Sequence, residues 1–142
     1  MSTHKITGTT PAAAGTAALG TPAGMLQNYD ALRIVASTRG ATGGTVDLYL
    51  QTSVDGTLWH DYAHLAQMAD GAASATVVFS VSRHAQQTSI TAIGTDLSPA
   101  LAANTVLGGD FGNQMRAVAV AGVGTSAGRA QTITITGILR RV

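Results

Sequence analysis

The sequence predicts an all-β chain: an antiparallel β-sandwich, of jelly-roll or Ig-like kind, with an extended N-terminal arm. Three observations carry this. Charged residues make up 11% of the chain, against roughly 25% in an ordinary soluble domain. All seven acids are Asp, and Lys5 is the only lysine, so the residues that usually fill solvent-facing helix positions are missing. From Tyr29 onward, apolar residues recur with period two in short runs separated by Gly-rich turns. The 142 residues give room for one domain with its own core. We divide them into an arm over residues 1–28 and a sandwich domain over residues 29–142.

The arm comes first. Residues 11–25, PAAAGTAALGTPAGM, are small and uncharged, and Pro11 and Pro22 with three glycines oppose a helix despite the alanines. An extended arm or long loop is expected, burying little in its own domain and ordered by a neighbour. Residues 1–10 are polar and lack the apolar segment of a secretory signal.

In the domain, Leu32 to Ser37 alternates loosely and Arg39 to Gly44 reads as a turn. Thr45 to Thr52 is the clearest strand, with Val46, Leu48 and Leu50 on one side and Asp47, Tyr49 and Gln51 on the solvent side. Asp55-Gly56 has the chemistry of a tight hairpin, and Trp59 to Tyr62 returns as the partner strand. Residues 74–83 form another strand, with Val77, Phe79 and Val81 on one face. Ser89 to Gly94 is a short strand. Leu97 to Asn113 is irregular, with one helical turn after Ser98-Pro99.

The C-terminal stretch repeats the design. Met115 to Val120 is a strand, Gly122 to Gly128 a turn, and Gln131 to Leu139 a strand whose Ile133 and Ile135 oppose Thr132, Thr134 and Thr136. Leu32-Arg33 and Met115-Arg116 open the same unit of strand, Gly/Thr turn and longer strand. Two such hairpins suggest two sheets packed face to face.

Composition excludes several functions. A net charge of +1 leaves too few cations for a phosphate-binding patch, so no nucleic-acid partner is expected. No stretch approaches the ~18 apolar residues of a membrane span, and no membrane partner is expected. Without cysteine there is no disulfide, thiolate metal site or thiol nucleophile.

The remaining chemistry is thin. His60 and His64 stand four apart around Asp61, a metal-binding spacing on a helix. On a strand they lie about 13 Å apart, and nothing links His84 or His4 to them. Polar residues on a solvated strand or a subunit contact are the simpler reading. No Gly-x-Ser-x-Gly elbow occurs, and Gly122 to Ser126 is a hairpin loop. Paired carboxylates for glycoside chemistry are conceivable among the aspartates, but Asp55 is a turn former, and Asp47 and Asp61 are solvent-side strand residues. Gly40 to Gly44 lacks the lysine and helix of a phosphate loop. Trp59 either stacks on a sugar or plugs one end of the sandwich, and we read it as core. Arg140 and Arg141 either pair with an acidic neighbouring subunit or stay solvated. No catalytic, cofactor-binding or metal residues are assigned, no cofactor is expected, and the chain is not expected to be an enzyme.

The run from Val46 to Asp61, with Gln51, Ser53, Asp55-Gly56, Thr57, Trp59 and Asp61, resembles a recurring motif of small structural proteins of tailed bacteriophages. There a strand ending in Gln-x-Ser-x-Asp-Gly leads through a Gly/Thr turn to Trp-x-Asp. The run is also similar to the Asp-box hairpin of sialidase-like propellers, with one residue fewer between Asp55 and Trp59 and no propeller repeats. Met115 to Val118 and the closing Thr-rich strand are similar to the C-terminal half of the same phage proteins. Together the resemblance covers Tyr29 to Asp61 and Gln114 to Gly137.

The resemblance implies a virion component with no active site to carry over. The first expectation is a capsid decoration, or cement, protein. It binds the outside of an icosahedral phage head as a homotrimer and bridges subunits of the major capsid protein. It is made in the host cytoplasm and located on the capsid surface, and the arm at 2–28 and the loop at 97–113 reach across subunit boundaries. Low charge and abundant Ala, Gly and Thr suit a subunit that buries much of its surface. A neck, tail-tube or fibre-associated virion subunit is the alternative. A carbohydrate-binding module using Trp59 and Tyr49 is the third, with six aromatics to draw on.

Overall fold

Leu32, Ile34 and Ala36 are fully buried, as are Leu48 and Leu50, and all five belong to one apolar core. The alternation in both runs therefore marks strands with one face turned inward. The computed structural model describes residues 2–9, 17–20, 22–39, 45–65, 68–69, 74–84, 94, 98–109, 111–121 and 130–138. The strands are β1 (Ser2–Thr9), β2 (Ala17–Leu19), β3 (Ala31–Arg39), β4 (Thr45–Ser53), β5 (His60–His64), β6 (Met68–Ala69), β7 (Ser74–Ser82), β8 (Thr105–Val106), β9 (Gln114–Ala121) and β10 (Ala130–Ile138). A single 3-10 turn covers Leu26–Asn28.

The chain is all-β with two antiparallel sheets. One runs β1-β10-β3-β7; the other runs β2-β9-β4-β5-β8, with β6 beside β4. Both contribute to the core, through Leu32, Ile34, Ala36 and Val81 from the first and Leu48, Leu50, Met115, Ala117 and Ala119 from the second. Truncating Leu48 or Leu50 to Ala costs about 2–5 kcal/mol at such fully buried sites.

The hairpin expectation for the two repeated units needs correction. β3 pairs with β10 and β7, and β4 with β9, β5 and β6, so the chain passes from one sheet to the other between Arg39 and Thr45. It passes between the sheets again between Ala121 and Ala130, from β9 to β10. Alternation is identical for strands joined edge to edge and strands stacked face to face, so it does not separate the two. The repeat itself persists in the register. Leu32 pairs with Gly137, Ile34 with Ile135 and Ala36 with Ile133, while Met115 pairs with Thr52, Ala117 with Leu50 and Ala119 with Leu48. Laying Met115 on Leu32 and Gly137 on Thr52 maps one set of pairs onto the other. Each unit thus lends one strand to each sheet, beside the opposite strand of its twin.

Within the stretch expected as an arm, residues 1–28, the described residues are bonded to the sheets. Ser2–Thr9 pairs along its whole length with β10. Gly20 N–H donates to Ala117 O at 2.8 Å, Ala23 and Met115 exchange bonds of 2.8 and 2.9 Å, and Leu26 N–H donates to Asn113 O at 2.8 Å. Ala23, Leu26 and Tyr29 are buried in the core. Arg83 holds this segment from the far sheet, with Nε donating to Tyr29 O at 3.1 Å and Nη2 to Leu26 O at 3.1 Å. Small side chains let the backbone approach β9, and backbone bonding leaves no periodic trace in sequence.

The helical turn expected after Ser98-Pro99 is absent: Ser98–Ala100 is extended or irregular. Of the strand expected over Ser89 to Gly94, only Gly94 is described, and it lies outside any strand. The turns at 40–44 and 122–128 and the Arg140–Arg141 pair lie outside the described residues.

Candidate functional site

The polar face of β4 is covered at the Gln51 end and half-buried at Asp47 and Tyr49. Gln51 and Asp61 are fully buried, and His64 and Arg116 nearly so. The expectation that Asp47 and Asp61 are solvent-side residues therefore fails for Asp61 and holds loosely for Asp47, whose side chain is 25% exposed. A loop covers this outer face: Asp61 Oδ2 accepts from the backbone N–H groups of Gly94, Ala100 and Leu101 at 2.9, 2.8 and 2.9 Å.

A β-bulge brings the polar residues together. β5 pairs Tyr49 with His64 and Leu50 with Ala63, then slips so that Gln51 meets Asp61 and Thr52 meets His60. The extra residue is Tyr62, which is buried in the core while its hydroxyl donates to Gly109 O at 3.1 Å. The slip puts Asp61 and His64, three apart, on the same face. It also puts His60 and His64, four apart, on opposite faces. The metal-type pairing of these two histidines is thereby undone, and among the described residues no group of three His or Asp side chains is placed to hold a metal ion.

Two rungs cross the outer face. The first runs Arg116–Gln51–Asp61 over β9, β4 and β5. Arg116 Nε and Nη2 donate to Gln51 Oε1 at 3.2 and 2.9 Å, and Gln51 Nε2 donates to Asp61 Oδ1 at 3.0 Å. The amide thus relays a cation to a buried anion through charge-assisted bonds. The second rung runs Val118–Tyr49–His64, with the Tyr49 and His64 rings stacked at 3.9 Å between centroids. His64 Nδ1 lies 2.7 Å from Leu101 O, and Nε2 lies 3.3 Å from Asp47 Oδ1. Burial, then the charges of Asp47 and Asp61, push the Tyr49 phenol above its ordinary pKa.

The Asp55 turn closes one end. Asp55 Oδ1 accepts from Ser53 Oγ at 3.1 Å and from the N–H groups of Thr57 and Leu58 at 2.8 and 3.0 Å, while Gly56 N–H donates to Ser53 Oγ at 2.9 Å. The Leu58 and Thr57 bonds hold the Asp55 carboxyl below its ordinary pKa. Gly56, at φ +78°, takes a left-handed conformation that suits glycine. Trp59 Nε1–H donates to Gly56 O at 3.0 Å, and the Arg116 guanidinium lies 4.3 Å from the Trp59 ring centroid. Trp59 is buried, as expected of a core residue, but its place is beneath Arg116 at the turn rather than in the apolar core between the sheets.

Chemically this arrangement holds a fold in place. The buried carboxylate of Asp61 has four donors, and both His64 nitrogens face acceptors of the chain itself, so neither is presented to a substrate. His84 lies apart, with Nε2 3.4 Å from Asp30 Oδ1; His4 sits in β1 opposite Ile135. Sequence reasoning missed Gln51, Arg116 and the roof residues Gly94, Ala100 and Leu101. The one available signal was an arginine inside the apolar run Met115–Val120. Compared with protein-family models, with curated proteins and with solved structures, the chain matches none.

Proposed function

We propose that this chain is a non-enzymatic virion structural protein, a capsid decoration protein that binds the outside of an icosahedral phage head and bridges subunits of the major capsid protein. The observation that carries the proposal is the division of labour on the surface of the second sheet. Gln51, Asp61, His64 and Arg116 are engaged in internal bonds, while the end beside them presents exposed apolar side chains. Met25, Val54 and Leu58 are 66%, 71% and 76% exposed. Gly24, next to Met25, and Gly56, two residues from both Val54 and Leu58, lie close to the side chain of Gln114, so these residues gather at one end of the molecule. Apolar groups held out on a braced turn suit a subunit that docks on others.

The frame for this role is a β-sandwich of jelly-roll or Ig-like kind. The core shared by the two sheets supports it, as do the two connections that cross between them. The N-terminal residues paired with β9 and β10 brace this frame, which moves the reach across subunit boundaries from the arm to the apolar end. The sugar-platform reading loses its main residue, because Trp59 is buried with a guanidinium against its ring.

The test is thermal melting of heads with and without the protein, together with its copy number in particles. Binding only the assembled state raises the melting temperature by mass action. Hundreds of copies and a raised melting temperature support the proposal. Equal melting overturns it, and a low copy number moves the protein to the neck or tail.

A further inference from the structure

β7 ends the first sheet. One edge pairs with β3 over all nine residues, and among the described residues no strand takes the other edge. The strand reads SATVVFSVS, without charge or proline. Edges that stay free in solution are normally blunted by charged side chains, proline or bulges. The opposite edge of this sheet, β1, carries His4 and Lys5. The β7 edge has no such protection, and Val78 stands 49% exposed on its outer face while Val81 is buried.

We propose that β7 pairs antiparallel with β7 of a second copy of this chain, about a two-fold axis normal to the sheet, to form one continuous eight-stranded sheet. The proposal goes beyond the virion reading and stands or falls without it. A two-fold normal to the sheet keeps inner faces together, so the register must centre on a residue. Centring on Val78 pairs all nine positions. Ser74 then meets Ser82, Ala75 meets Val81, Thr76 meets Ser80 and Val77 meets Phe79. Polar positions meet polar and apolar meet apolar, with no like charges opposed. Centring on Val77 or Phe79 sets Val78 against Thr76 or Ser80 and leaves residues unpaired. The self-matching sequence is the reason to assign a second copy to this edge rather than a foreign strand. The product is a dimer, where the phage resemblance implies a trimer.

The chain has no cysteine, so one introduced thiol reports the register. Residues directly opposed on antiparallel strands have Cα atoms about 4.5–5.5 Å apart, within disulfide reach. The experiment is light scattering across a concentration series, with oxidative cross-linking of Val78→Cys and Ser80→Cys. The expected result is a dimer that cross-links through position 78 and not through position 80, which faces Thr76. Val78→Lys sets two like charges opposite each other and should weaken dimerisation by about tenfold or more, with unchanged circular dichroism. A monomer at every concentration, a trimer, or a dimer that survives Val78→Lys without cross-linking through position 78 overturns the proposal. The cross-link is read on a variant that adds no charge, so it stands even if Val78→Lys misfolds.

Discussion

Gln51 and Asp61 face each other across neighbouring strands, and the amide that donates to the carboxylate at 3.0 Å takes two bonds from Arg116 at its other end. Asp61 is fully buried and answers three roof amides as well. One carboxylate thus joins β4, β5 and the loop that covers them.

Replacing it should be costly. Asp61→Asn keeps the shape but turns an amide nitrogen toward N–H donors, leaving buried groups unpaired. A loss of about 3–5 kcal/mol is expected, the range for breaking one partner of a buried charged network. Urea unfolding of the two proteins gives the number. A loss within error of zero would mean the network is not formed in solution.

Gly94→Ala tests the roof from the other side. A Cβ at Gly94 would run into Ser98 O, Ala100 N and Pro99 Cα, all backbone atoms with little room to yield. The expected cost is about 1–3 kcal/mol from overpacking. The double variant with Asp61→Asn should cost less than the sum, because both release the same loop. Strict additivity would separate the roof from the carboxylate.

Asp55 gives an acid-side prediction. Its carboxyl is held low by the Leu58 and Thr57 amides, then by Ser53. A folded pKa below the unfolded value of about 3.9 means a contribution present above that value and lost as pH falls through the folded pKa. Asp55→Asn should therefore flatten the fall of stability below about pH 4. Denaturation midpoints measured from pH 2 to 6 check this, and an unchanged slope would refute it.

Tyr49 acts at the alkaline end. Burial and two carboxylates raise its pKa, which favours the neutral phenol in the folded state. Its contribution is whole below the unfolded value of about 10 and lost as pH rises through the higher folded pKa. Ultraviolet titrations of the protein and of Tyr49→Phe should differ by one late-ionising tyrosine, and the variant should lose part of the alkaline fall of stability; identical late steps would refute this.

Much of the strand pattern was legible. Thr45–Ser53, Ser74–Ser82 and Gln114–Ala121 lie within a residue or two of their expected bounds, the first two because apolar residues alternate along them, and the third because it is a short, mostly apolar run, buried on both faces over Met115 to Ala119. The place of the turn at Asp55-Gly56 was legible, and Gly56 takes the expected positive φ, but the tight hairpin is a six-residue connection, 54–59, closed by the Asp55 and Ser53 side chains. The polar ladder was not. Its members lie on three strands and a loop, and a one-residue bulge at Tyr62 decides that Asp61 and His64 share a face. A period-two reading places them on opposite faces.

The amino-acid sequence by itself determined that this chain is built of strands, where most of them lie, that the chain turns at Asp55-Gly56, and that two stretches of it repeat. These are properties of local alternation, glycine placement and short-range hydrogen bonding. Only the tertiary structure decided which strands pair, that each repeated unit spans both sheets, that the N-terminal residues belong to the sheets, and that the outer face of β4 is roofed. Those outcomes depend on contacts between residues far apart in the chain, where the same alternating pattern is compatible with several pairings and only the shared core selects one.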